Sequence, residues 1–424
     1  MKMKEDITVS KSKKILITVL IIIGAIALLV GILFGVCAIL NASYIDEMEK
    51  YIDGYDRVIY EEQLKPTLDE RGNYSFTTDE EFKVVQLTDV HIGGGFLYGD
   101  GDKRAIHAVA SMIKEEKPDL VIVTGDISFA VPMAANLDNS ICHGFFKRLM
   151  ENLGVYWTVT FGNHDAEKYN PYDRAAVAAM YEDESLKYCL FSSGPDDVFG
   201  ECNHVITVKN SLGLVTSSFV MIDSNAYTEN DIFGLGWDYD NVHDDQIEWY
   251  RENIEYYTAK NLEVYNSLPE SLRPKEFDTG AVKSYMYMHI PPEEMLKTYN
   301  EVLKGKPTDA GKYGFAGEGG QVVYSSDYPD NLFETVVELG STKGIFFGHD
   351  HLNALKLERD GVLMSYGFSI DYSAYAGWAG YQRGCTVMTF GEGGMTAHEF
   401  SSYYSGKYDN LEDNVNMTLP NEYQ

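Results

Sequence analysis

Basic side chains are in short supply in this chain. Its 424 residues carry 34 Lys and Arg against 65 Asp and Glu, a formal charge of −31. Capture of nucleic acid or of anionic lipid headgroups by a broad positive surface is therefore disfavoured. Cysteine is scarce as well, with five in all and none in CxxC spacing, which argues against a thiolate metal site. Cys142, Cys189, Cys202 and Cys385 lie beyond the N-terminal segment. Their even number permits disulfides in an oxidising compartment, but scattered cysteines in so large a domain read as free and buried. No fixed-period repeat is present, so repeat architectures do not fit.

Long apolar runs are lacking too, with one exception. Ile15 to Leu40 carries no charge, and at helical rise such a run crosses a hydrocarbon core of roughly 30 Å. It reads as a transmembrane helix, a signal-anchor over residues 15–40. Lys2, Lys4, Lys11, Lys13 and Lys14 precede it against only Glu5 and Asp6. The positive-inside rule then leaves residues 1–14 in the cytoplasm and everything from about Asn41 outside, on a single-pass cell-membrane protein. A cleaved signal peptide is the alternative, and Val36-Cys37-Ala38 is a tolerable cleavage site. The run is longer than the usual stretch of about 7–15 residues, however. Val36 also makes Cys37 a poor lipidation site. Setting aside the five lysines and two acids of the first 42 residues leaves 29 basic against 63 acidic side chains, a balance of −34. That surplus suits a solvated surface on an exported protein.

Residues 41–80 are polar, acidic and rich in Tyr, with weak helical patterning around Ile45 to Ile59. This segment reads as a stalk. From Phe82 short apolar, β-branched and aromatic runs end in Gly, Asp, Asn or His and alternate with helix-patterned segments. Strands are predicted at Phe82–Leu87, Leu120–Thr124, Val155–Phe161, Ser218–Ile222, Ser284–Met288, Gly344–Phe347, Val362–Tyr366 and Cys385–Phe390. Helices are predicted at Lys103–Glu116, Cys142–Leu153, Tyr172–Tyr181, Asp244–Lys260, Pro292–Leu303 and Asn331–Leu339. The pattern is that of an α/β domain over residues 81–400, with a polar tail over 401–424. Ala226–His243 and Lys304–Pro329 read as long functional loops.

Five short motifs stand at predicted strand ends: Asp89-Val90-His91, Gly125-Asp126, Gly162-Asn163-His164-Asp165, His289, and Gly348-His349-Asp350-His351. In open α/β sheets the strand C-termini form the crevice where ligands bind, so donors far apart in sequence can converge. The donors are carboxylates, imidazoles and one amide, a set that favours divalent Zn, Mn or Fe over copper or iron–sulfur clusters. Glycine before Asp126, Asn163 and His349 permits sharp turns there.

In this order and spacing the motifs closely resemble those of the calcineurin-like metallophosphoesterase superfamily, across Phe82–Phe390. The resemblance implies a four-layer α/β sandwich, two mixed β-sheets face to face with helices outside. It implies two divalent metal ions, the first held by Asp89, His91 and His351, the second by Asn163, His289 and His349, with Asp126 bridging both. A metal-bridging hydroxide would attack phosphorus directly. By the same resemblance His164 would protonate the leaving alkoxide, with Asp165 or a neighbour orienting its ring.

Purple acid phosphatases place a tyrosine three residues after the Gly-Asp aspartate, and here that position is Phe129, so a ferric centre is not expected. Gly317-Glu318, Gln321-Val322-Val323, Asn331-Leu332-Phe333 and Asp245-Gln246-Ile247-Glu248-Trp249 nonetheless resemble a phosphatase-like subgroup related to those enzymes. His107, His143, His204, His243 and His398 fall outside the motifs and read as surface or core histidines, His204 being the closest contender for the pocket. Phe233, Trp237 and Tyr239 read as residues that pin a loop to the core rather than as a stacking platform.

The expected function is hydrolysis of a phosphomonoester or phosphodiester outside the cytoplasm, without binding of nucleic-acid duplexes. Two alternatives stay open. One is a pyrophosphatase of nucleotide or lipid-linked diphosphates, and the other is a non-catalytic surface binding protein on the same fold.

Overall fold

A computed structural model describes residues 11–129, 137–231, 234–275, 277, 280–305, 313–316, 322–374 and 383–411. The predicted loop residues Phe233, Gly317, Glu318 and Gln321 lie outside these. Strands and helices are numbered in chain order. Nine strands form one mixed sheet: β1 (Thr67–Leu68), β2 (Tyr74–Thr77), β6 (His204–Lys209), β7 (Val215–Met221), β8 (Ser284–Tyr287), β9 (Tyr313–Ala316), β10 (Thr342–Phe347), β11 (Asn353–Arg359) and β12 (Val362–Tyr366). Their order across the sheet is β1-β2-β6-β7-β8-β10-β12-β11-β9. The second sheet has the order β14-β13-β3-β4-β5, from β3 (Phe82–Leu87), β4 (Leu120–Thr124), β5 (Trp157–Thr160), β13 (Gly384–Gly391) and β14 (Gly394–Ser402).

Alternation within the strands sets the layers. On β3 and β4, Phe82, Val84, Leu120 and Ile122 face a core shared with Phe219, Tyr287 and Phe346 of the larger sheet. Their neighbours Val85, Leu87, Val121 and Val123 face the opposite way, onto helices. Those helices are α1 (Lys11–Ile52), α2 (Gly99–Glu116), α3 (Asn139–Leu153) and α4 (Arg174–Tyr181). On the far side α5 (Asp244–Ser267), α6 (Glu293–Leu303) and α7 (Leu332–Leu339) cover the larger sheet through Tyr250, Met295 and Phe333. The result is the expected four-layer sandwich. Between the sheets, the buried amide of Gln86 donates to Thr124 Oγ1 at 3.0 Å and to the Phe347 carbonyl at 3.2 Å, tying the two layers together beside the strand C-termini.

Residues 41–80 differ from the stalk their composition suggests. The apolar N-terminal helix does not stop at Leu40 but continues to Ile52. Tyr44, Met48 and Ile52, four residues apart, form a stripe buried in the core beside α2 and α3. Beyond it β2 adds to the larger sheet, parallel to β6. The acidic and tyrosine side chains between these anchors hide the stripe from a composition-based reading. The C-terminal tail also begins later than expected. β14 runs to Ser402, Tyr403 and Tyr408 are buried, and Lys407 Nζ meets Glu116 of α2 at 2.5 Å.

Residues 13–52 form one helix long and apolar enough to cross a membrane, and Ile21, Leu29 and Ile39 on it are exposed. All five cysteines are free, the four outside α1 being buried.

Candidate metal centre

Each predicted ligand sits where a strand of one sheet ends opposite a strand of the other. Asp89 and His91 follow β3, Asp126 follows β4, Asn163 follows β5, His289 follows β8, and His349 and His351 follow β10. Tight backbone is needed to bring seven side chains to one point. Asp89, His91, Asp126 and His349 adopt positive φ values of 50°, 46°, 54° and 79°. Such conformations cost energy for non-glycine residues and cluster at functional sites. Gly125 (φ 83°) shows the crowding, since a Cβ there would lie 2.6 Å from His289 Nδ1.

Two clusters result. Ligand atoms of Asp89, His91, Asp126 and His351 lie within 4.8 Å of one another, as do those of Asp126, His289 and His349, and all of these residues are buried. Asp126 belongs to both. Asn163 joins the second cluster, its Oδ1 3.2 Å from His289 Nε2. Its orientation follows from Nδ2 donating to the Tyr227 hydroxyl at 2.8 Å.

The outer contacts decide which ring nitrogens carry hydrogen. His289 Nδ1 donates to the Thr124 carbonyl at 2.7 Å, which turns the lone pair of Nε2 inward. That lone pair meets Asp126 Oδ2 at 3.1 Å and the Asn163 oxygen. His351 Nδ1 is held by Asp371 Oδ2 at 2.9 Å, so its Nε2 points inward as well, 3.1 Å from His91 Nε2 and 3.5 Å from Asp89 Oδ1. Asp126 Oδ1 accepts the His164 backbone N–H, while buried Oδ2 accepts no hydrogen bond among the described residues. Acceptor atoms therefore converge on acceptor atoms, an arrangement that is repulsive unless positive charge sits among them. The donor set fits divalent cations.

Electrostatics within the protein say the same. Burial lifts Asp89 to about 6, and Asp126 adds to the rise against the pull of His351 and His289. Burial disfavours charge on His289, yet Asp126 and Asp89 outweigh it and raise that imidazole to about 9. Burial and the neighbouring His351 push His91 down to about 3. Asp126 is held well below its ordinary value, because His289, His164 and His91 together overcome its burial. Asp126 and Asp89 thus favour positive charge at the position where a cation would sit.

His164 borders the clusters rather than joining them, with its side chain 42 % exposed and its ring 5.6 Å from that of His91. Its orienting partner is Glu167, whose Oε1 lies 2.7 Å from Nδ1. Asp165 does something else. Its two oxygens accept backbone N–H groups of Asp126, Ile127, Ser128 and Gly162 at 2.8–3.1 Å, fixing the Gly125-Asp126 turn against the Gly162-Asn163 turn. The expectation that Asp165 orients the ring gives way because its carboxylate is already saturated by backbone donors. Burial lowers the His164 pKa, but Asp126 and Glu167 more than offset this and raise it.

Glu167 and Asp371 carry roles that the motifs do not show. An acid three residues after the motif histidine is a usable sequence signal for Glu167. Asp371, twenty residues beyond His351, has none. Of the histidines outside the motifs, His204 is buried against Thr158 at 2.6 Å and His143 braces the Asp165 carbonyl at 3.0 Å. His107 contacts Tyr55, His243 contacts Asp240 and His398 stacks on Phe346. Phe129 packs its ring against His91, offering no phenolate. Tyr239 packs against Tyr227 and His349, whereas Trp237 is 62 % exposed.

Over 333 residues the chain is 27 % identical to a "Probable inactive purple acid phosphatase 14" of Arabidopsis thaliana, covering 73 % of this chain and 76 % of that protein. It is 25 % identical over 301 residues to "Phosphatase DCR2" of Saccharomyces cerevisiae, covering 67 % and 46 %. A solved dimetal phosphatase from Danio rerio aligns with a TM-score of 0.44 at 11 % identity, covering 76 % of this chain and 97 % of that one. The family model for calcineurin-like phosphoesterases matches residues 82–353, a span that contains every ligand candidate, and the chain belongs to that family.

Proposed function

We propose that the chain is a phosphoric ester hydrolase that uses two divalent cations, anchored by its N-terminal helix with the catalytic domain outside the cytoplasm. The observation that carries this reading is the convergence of lone pairs on Asp126 Oδ2, from two clusters that share this carboxylate. Asp89, His91 and His351 would hold one cation, and Asn163, His289 and His349 the other, with Asp126 between them. The donors suit Zn, Mn or Fe. Bound there, such a pair polarises phosphate oxygens and lowers the pKa of water.

The protein's own groups supply the rest. Thr124 and Asp371 fix the tautomers of His289 and His351, which keeps the inner nitrogens free of protons. Glu167 takes the Nδ1 hydrogen of His164, leaving Nε2 to deliver a proton to a departing alkoxide. Partial exposure of that ring lets a substrate reach it.

The location rests on the apolar helix and the five lysines in front of its apolar run. A non-catalytic reading draws on the names of the Arabidopsis relatives, which call them probable inactive purple acid phosphatases. Against it stands the complete donor set together with the His164–Glu167 pair. The deciding measurement is hydrolysis of p-nitrophenyl phosphate and bis-p-nitrophenyl phosphate by the purified chain, metal by metal. Metal-dependent turnover that collapses in Asp126→Asn and His164→Ala supports the hydrolase. Two bound cations without turnover of either ester favours the binding protein.

A further inference from the structure

The helix that leaves the domain fixes which side of the domain looks at the membrane. Along α1, successive residues meet successive residues of α2 and α3 in the same direction. Asn41 Oδ1 accepts the Phe96 N–H at 3.1 Å, and Tyr44 bonds Asp102 and packs its ring on Phe145. Glu47 pairs with Lys103, Glu49 with Arg148, and Tyr55 with His107. Finally the Ile52 carbonyl accepts from Asn152 near the end of α3.

Both partner helices begin at the ligand-bearing edge. α2 follows the Asp89-Val90-His91 motif, and Asn139 at the first position of α3 donates to the Asp165 carbonyl at 3.0 Å. Because α1 runs parallel to them, its apolar part, ending at Leu40, projects from that same edge. The opposite edge, where Val58 bonds the Leu153 carbonyl, points away.

The distance is short as well. Phe96, the residue that touches Asn41, follows His91 by five positions, and a fully extended chain of five residue steps spans at most about 18 Å. The headgroup layer adds only about 5–8 Å to each face of the hydrocarbon core. At this level the structure shows Leu97, 63 % exposed, and a cavity of about 620 Å³ whose walls include Leu40, Tyr44, Lys103, Arg104 and Arg383. Arg383 also donates from Nε to the carbonyl of Asp371, the residue that holds His351. The cavity is thus linked to the metal centre through Arg383 and Asp371, and its lining sets Lys103, Arg104 and Arg383 beside the acids Glu47 and Asp100.

We infer that the metal-binding edge faces the bilayer from which α1 emerges, and that the ester hydrolysed there is the phosphate of a membrane lipid. This rests on the hydrolase reading for its chemistry but not for its orientation, and the two are tested separately. A fluorophore is placed on Leu97→Cys or Ile59→Cys of the full chain in a Cys37→Ser background, reconstituted into phosphatidylcholine vesicles containing headgroup spin-labelled lipid. Ile59 is 81 % exposed next to Val58 on the far edge. Strong quenching at Leu97 with little at Ile59 is expected, and equal quenching or the reverse order overturns the orientation.

In the same vesicles, phosphatidic acid should be hydrolysed at least tenfold faster than soluble glycerol 3-phosphate at matched concentration, with p-nitrophenyl phosphate as the general activity control. Turnover of p-nitrophenyl phosphate with no lipid preference overturns the substrate assignment while leaving the hydrolase intact. Loss of all turnover removes both the hydrolase and the lipid substrate, and the quenching result still decides the orientation.

Discussion

The two ligand clusters are built alike on the inside and differently on the outside. In one, the inward-facing imidazole of His351 is backed by a carboxylate, Asp371, itself pinned by the N–H groups of Ser373 and Ala374. In the other, the equivalent imidazole of His289 is backed by a backbone carbonyl, that of Thr124 on the facing sheet. A carboxylate partner raises the basicity of a ligating imidazole more than a neutral carbonyl does. The Asp371-backed cluster is therefore expected to hold its cation more tightly, and the His289 cluster to lose its cation first under a chelator. The difference also separates two sources of precision, charge in one cluster and sheet-to-sheet packing in the other.

Four changes break or sharpen that contrast. Asp126→Asn removes the shared group, and both cations should be lost from the isolated protein by elemental analysis, with activity down more than about 100-fold. If one cation stays at full affinity, Asp126 does not bridge. Asp371→Asn should weaken a single cation by about 10–100-fold in calorimetric titration and leave the other unchanged. Equal weakening of both would erase the contrast.

Glu167→Gln touches neither cluster. It should lower turnover roughly tenfold for poor leaving groups, in line with losing a hydrogen bond to a charged partner, and much less for nitrophenyl esters. Glu167 helps to raise the His164 pKa. Its neutralisation should therefore shift the alkaline limb of the pH–rate profile to lower pH, because less of the ring stays protonated. An unmoved limb would dissociate His164 from that step. Tyr227→Phe, the mildest change, removes the acceptor that aims Asn163 and should cost the His289-side cation about 0.5–1.5 kcal/mol of affinity. An effect confined to the other cation would contradict the pairing seen here.

Legibility from sequence followed burial in most strands, with β6 the exception. All eight predicted strands fall on strands of the structure, because each is an apolar run buried in the sandwich. Of the strands that escaped notice, β14, with the sequence Gly394-Met-Thr-Ala-His-Glu-Phe-Ser-Ser402, is partly exposed and mixes polar with apolar residues, whereas β6 is buried at all but its last residue. β2 escaped for a different reason. Tyr74–Thr77 is only four residues long and lies in an acidic segment, and its place comes from pairing with β6.

The seven ligand candidates were legible because each motif marks a strand end, where the chain must turn sharply. Asp165 was legible as a motif residue but not in its role, which depends on four backbone N–H groups that no side-chain pattern records. Asp371 reaches the site through the closeness of β10 and β12 in the sheet and through its backbone N–H, which donates to the Asp89 carbonyl at 2.8 Å, pairings that no motif spacing records.

The placing of β13 between β3 and β14 sets a schedule for synthesis. β3 has β4 on one side within some thirty residues, but its other partner is encoded near the C-terminus. At about 5–20 residues per second, roughly 300 residues and some 15–60 s separate the emergence of β3 from that of β13. For that interval one side of an apolar strand presents unpaired backbone groups, a template for wrong pairing. A chain released before β13 is made would carry every candidate ligand and still lack the strand that closes the sheet beneath them.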